Sequence, residues 1–65
     1  MRILVNGVWR DIDATVLSAA LEDLGYAEAV VSTAVNGEFV PATERSATPL
    51  APGDRVEVLA PQQGG

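Results

Sequence analysis

Apolar and polar positions alternate through Met1-Arg-Ile-Leu-Val5, break at Asn6-Gly7, and alternate again through Val8-Trp-Arg-Asp-Ile12. Asn-Gly between two apolar runs predicts a β-hairpin, because a two-residue type I′ turn needs positive φ at both positions. Such a turn fixes the register. Val5 is set opposite Val8, Leu4 opposite Trp9, Ile3 opposite Arg10, Arg2 opposite Asp11 and Met1 opposite Ile12. Side chains alternate between the two faces of a strand. Met1, Ile3, Val5, Val8 and Ile12 therefore form a core face with Arg10 as its one misfit. Leu4 and Trp9 fall on the other face, flanked by an Arg2–Asp11 charge pair.

The period then changes. Val16, Leu17, Ala20, Leu21 and Leu24 recur at helical spacing, with Glu22 and Asp23 on the far side. Thr15 fits the N-cap, and Gly25 fits the left-handed position that ends a helix. Tyr26 to Ala29 is a connection. Val30–Val35 predicts a β-branched strand with Val31, Thr33 and Val35 inward and Ser32 and Ala34 outward. Asn36-Gly37 is a second turn, and Glu38–Val40 a short return strand ended by Pro41. Residues 42–51 look irregular, with Leu50 as a buried anchor. Pro52-Gly53-Asp54 is a turn. Arg55–Ala60 is the last strand, with Val56 and Val58 inward and Arg55, Glu57 and Leu59 outward.

The element order is ββαβββ. A single apolar sheet face needs a cover, so the one helix must lie across it. Pairing the first and last strands in parallel through the centre satisfies this requirement. The predicted class is α+β, a ubiquitin-like β-grasp with a mixed five-stranded sheet and one helix packed on one face. Residues 1–60 form the domain, and Pro61-Gln-Gln-Gly-Gly65, with nothing to pack, is expected to be a flexible tail.

Composition narrows the chemistry. A chain of 65 residues is one small domain, and its stability has to come from apolar packing because it has no Cys to cross-link. The 48% hydrophobic content makes that feasible. The net charge of −5 disfavours nucleic acid and anionic membrane surfaces and favours a protein partner with a basic groove. The sequence shows no targeting run and no apolar stretch near the roughly 20 residues of a membrane span, so the expected location is cytoplasmic. The chain has no Lys, and so no side-chain amine on which to build polymers of itself.

An internal active site lacks its parts. With no His, Cys or Lys, the Ser and Thr hydroxyls have no basic partner for nucleophilic catalysis. Asp11 and Asp13, and Glu22 with Asp23, read as solvated faces. No Gly-rich phosphate loop joins a strand to a helix. The expectation is a non-enzyme that holds no metal and no resident cofactor. What remains is the end of the chain. Gly64 and Gly65 have no Cβ, so they can enter a channel too narrow for side chains and lie extended. An α-carboxylate is ionised at neutral pH and is a poor electrophile until activated, most simply as an acyl-adenylate. A sulfur nucleophile could then displace AMP and leave a thiocarboxylate.

Three segments together carry a family resemblance: Ala34-Val-Asn-Gly-Glu-Phe-Val-Pro41, Thr48-Pro-Leu-Ala-Pro-Gly-Asp-Arg-Val-Glu-Val-Leu59 and Gln63-Gly-Gly65. With the length and strand order, they resemble the ThiS family of sulfur carriers. The resemblance implies a β-grasp fold and adenylation of Gly65 by a ThiF-type adenylyltransferase that uses ATP. It implies sulfur loading from a sulfur-donating protein and delivery to a ThiG-type thiazole synthase making the thiazole of thiamine. Of the family's functional residues, Gly64 and Gly65 carry over. After Pro41 the family often has a basic and then an aromatic residue, whereas Ala42 and Arg45 occupy that stretch here.

A docking surface is expected on the sheet face away from the helix. Leu4, Trp9, Ala34 and Leu59 would form one exposed apolar patch leading to the tail. The role of Phe39 stays open between edge packing and exposure. Three other readings share parts of this pattern: a molybdopterin-synthase small subunit or a carrier for another sulfur pathway, a ubiquitin-like protein modifier joined through Gly65, and a non-covalent β-grasp binding module.

Overall fold

The first hairpin has the register its turn dictates. In the computed structural model, which describes residues 1–60, β1 (Arg2–Val5) pairs antiparallel with β2 (Val8–Asp11) through the four expected partners. Asn6 and Gly7 both have positive φ, at 49° and 83°, as a type I′ turn requires. Backbone bonds in both directions between Met1 and Ile12 extend the pairing by one residue. The second hairpin repeats the device. β3 (Ser32–Val35) and β4 (Glu38–Val40) are joined by Asn36 (φ 51°) and Gly37 (φ 87°).

The last strand, β5 (Arg55–Leu59), runs through the middle of the sheet. It is parallel to β1 and antiparallel to β3, giving the order β2-β1-β5-β3-β4. Helix α1 (Leu17–Asp23) covers one face. Leu17, Ala20 and Leu21 meet Ile3 and Val5 of β1, Val56 and Val58 of β5, Val40 of β4 and the anchor Leu50 in one core. The fold is the expected β-grasp. The segment 61–65, with its predicted tail, lies outside the described residues.

The helix ends as its sequence suggests. Gly25 adopts φ 92°, Tyr26 N–H bonds Leu21 C=O and Gly25 N–H bonds Glu22 C=O. This is a Schellman closure. The helix start differs from expectation. The N-cap is Val16, with no side-chain cap, not Thr15. Leu17 N–H donates instead to Thr48 C=O, Leu50 N–H donates to Thr15 C=O, and Val16 bridges Pro49. Backbone from 31 residues further on thus satisfies one of the free N–H groups of the first turn.

Four further expectations change. Val8 is 58% exposed rather than core, because β2 is an edge strand and all four of its residues are exposed. Val30 is exposed and precedes β3, and Ala60 falls just past β5. Within the stretch read as irregular, Ala42–Ala47 forms a 3-10 helix.

Arg45 on that 3-10 helix reaches the core. Its Nε donates to Thr33 Oγ1 (3.1 Å) and its Nη2 to Val31 C=O (2.6 Å). The Thr33 hydroxyl donates to Val40 C=O (2.8 Å). Thr33, 2% exposed, is thereby satisfied in both roles.

Candidate functional site

The sheet face away from α1 is built in rows across the strands. Trp9, Leu4 and Arg55 are cross-strand neighbours in one row. Glu57, Ala34 and Phe39 form the next, and Leu59 stands beside Ser32 in the third. β5 puts Arg55 and Glu57 on this face, as expected, and they stand between its two apolar halves. On one side Leu4 is half-buried and Trp9 half-exposed. The Arg2 guanidinium lies 5.6 Å from the Trp9 ring centroid, within cation–π range, while Arg2 also stands opposite Asp11.

The other side is more open to a partner. Leu59 is 67% and Phe39 69% exposed. With Ser32, Ala34 and Glu57 they line a shallow depression of about 120 Å³. Two large exposed apolar side chains thus line one depression on this face. Phe39 extends the four-residue docking set, and a sequence signal for it existed. A two-residue turn at Asn36-Gly37 pairs Ala34 with Phe39 by the rule that pairs Leu4 with Trp9, and the structure has that pair.

Gly64 and Gly65 lie outside the described residues. The described chain brings the route to them: β5 ends at Leu59, and Ala60 leads on from the strand between β1 and β3.

A second depression, of about 240 Å³, lies on the helix side between α1 and the 3-10 helix, with Glu22, Tyr26 and Arg45 in its wall. Two of the Arg45 nitrogens are already committed to Thr33 and Val31. Among the described residues no three His, Cys, Asp or Glu side chains come together as a metal site, and no helix is long and apolar enough to cross a membrane.

A family model described as the ThiS family matches residues 3–65. The chain belongs to the ThiS family. Solved structures agree. A crystal structure of a thiamine biosynthesis protein (ThiS) from Geobacter metallireducens is 32% identical with a TM-score of 0.83, and the match covers 100% of both chains. A solution NMR structure of a thiamine biosynthesis protein from the same organism is 30% identical with a TM-score of 0.77, covering 100% of this chain and 88% of that one. No curated protein matches. In this chain the matched fold carries an exposed Phe39–Leu59 depression beside β5, the strand that ends at Leu59.

Proposed function

We propose that this ThiS-family chain is a sulfur carrier in thiamine biosynthesis and that the Gly65 carboxylate is its working group. The observation that carries the reading is that the family match runs through residue 65, so it includes Gly64 and Gly65. The thiamine biosynthesis proteins of the same fold and about one-third sequence identity support the client pathway.

The chemistry follows from the weakness of a carboxylate as an electrophile. A ThiF-type adenylyltransferase joins a Gly65 carboxylate oxygen to the α-phosphorus of ATP, and pyrophosphate leaves. A sulfide equivalent from a sulfur-donating protein then forms a C–S bond at the Gly65 carbonyl, and AMP departs. The product is a thiocarboxylate, and a ThiG-type thiazole synthase takes its sulfur for the thiazole ring. In this scheme the carrier is a substrate rather than a catalyst, and it holds no cofactor of its own. ATP is consumed by its partner, and the proposed location is the cytoplasm. Leu4, Trp9, Ala34 and Leu59, joined by Phe39, form the face on which the partner docks while the tail reaches the nucleotide.

Incubation with a ThiF-type enzyme, ATP and sulfide, followed by intact-mass measurement, tests the reading. Replacement of one oxygen by sulfur, absent when Gly65 is deleted, is the expected result. Covalent linkage to other proteins would favour a ubiquitin-like modifier, and an unchanged mass would favour a binding module.

A further inference from the structure

The Asn6 side chain occupies a place where a strand would be expected. β1 stops at Val5 and the chain turns away at Gly7, but its partner β5 continues to Leu59. On the side facing β1, the ladder begins with main chain. Leu4 N–H donates to Asp54 C=O (2.9 Å) and Asn6 N–H to Val56 C=O (3.0 Å). The next rung has no β1 backbone left to make it. The Asn6 carboxamide makes it instead: Nδ2 donates to Val58 C=O (3.0 Å), and Oδ1 accepts from Val58 N–H (2.8 Å). A primary amide carries the donor and acceptor of a peptide group. It therefore extends the parallel ladder by one rung.

That rung is the last one on the β1 side before the chain leaves for its terminus. Resting on the sulfur-carrier reading above, we infer that Asn6 is a positioning residue: it fixes the direction in which β5 hands Gly64-Gly65 to the activating enzyme. The carboxylate has to meet the α-phosphorus of ATP in line, and small errors of placement at a reacting atom are costly in rate. Asn6 touches neither substrate nor nucleotide in this account. It acts through Val58.

The second Asn-Gly turn supplies a matched control. Asn36 has nearly the same backbone conformation, with φ 51° against 49°. It also binds β5 by its side chain, accepting from Arg55 N–H (2.9 Å) and donating to Asp54 Oδ1 (3.1 Å). Asn36 thus holds the start of the strand, and Asn6 holds its end from the β1 side while Thr33 and Ser32 of β3 pair Val58 and Leu59 on the other. Asn6→Gly and Asn36→Gly both remove side-chain bonds at a left-handed position that glycine adopts freely, so neither introduces backbone strain.

Steady-state adenylation is measured for both variants well below their unfolding temperatures. Asn6→Gly is expected to lower kcat about tenfold while KM for the carrier stays within about twofold, because the docking face is intact. Asn36→Gly is expected to leave both constants within about twofold. Backbone 15N relaxation in the free carrier should show Ala60, the first residue past the Ser32–Leu59 pair, losing order in Asn6→Gly and keeping it in Asn36→Gly. Equal kcat for the two variants, or unchanged order at Ala60, overturns the inference. If the unaltered chain is never adenylated, the sulfur-carrier reading falls, and with it the role of Asn6 in activation.

Discussion

Thr33 shows how much a single buried hydroxyl can organise. It donates to Val40 C=O and accepts from Arg45 Nε, tying β3, β4 and the 3-10 helix together. Thr33→Val keeps the shape but leaves both partners short of a bond. We expect a loss of about 1–3 kcal/mol, read as a lower urea midpoint at unchanged slope. The inward phase of Thr33 was legible in the alternation of its strand. Its pairing with Arg45 was not, because the bond spans 12 positions and obeys no period. At the surface, Leu59 carries the docking idea. Leu59→Asp should leave the unfolding free energy within about 0.5 kcal/mol of the original, as for other exposed positions, and slow adenylation by raising KM for the carrier. An unchanged KM would remove Leu59 from the docking face.

At the scale of elements, the two hairpins were readable because their information is local. Asn-Gly sets both turn and register, and the observed pairs follow. The start of α1 was not readable for the opposite reason. Leu17 N–H is satisfied by Thr48 C=O, a partner brought by the fold rather than by spacing. Thr15→Ala should therefore cost less than about 0.5 kcal/mol, well short of the roughly 1 kcal/mol typical of a true N-cap. Gly25→Ala should cost about 1–2 kcal/mol from its left-handed backbone alone, since an added Cβ there meets nothing within 4 Å. Guanidinium or urea unfolding of the two variants side by side checks the contrast. The exposure of Val8 belongs to this scale too. Alternation reports which face a side chain is on, but not whether the helix extends far enough to cover it.

At the scale of the molecule, the negative charge is unevenly shared. The outer sheet face carries Arg2 and Arg55 against Asp11 and Glu57, so it is balanced, and the net −5 resides elsewhere. Long-range attraction to a basic partner should then depend on the whole chain. The association rate with the activating enzyme is expected to fall as salt rises, in stopped-flow measurements, for the unaltered chain and more steeply for Leu59→Asp, whose added carboxylate makes the chain more negative. The overall topology was legible because a ββαβββ order with one helix leaves few ways to bury every apolar face. The division of the docking face by Arg55 and Glu57 became visible once β5 was placed between β1 and β3.

The central position of β5 also bears on how the chain is made. Synthesis delivers the first hairpin, then the helix, then the second hairpin, and the strand both hairpins need comes last. Until residues 55–59 are available, the two hairpins have no neighbour in common, and closing the sheet requires contacts between the far ends of the sequence. An interrupted product would hold separate hairpins and no assembled sheet to offer a partner. The order of the strands thus works as a completeness check, under which no five-stranded sheet, and no outer face, exists before residues 55–59 have been made.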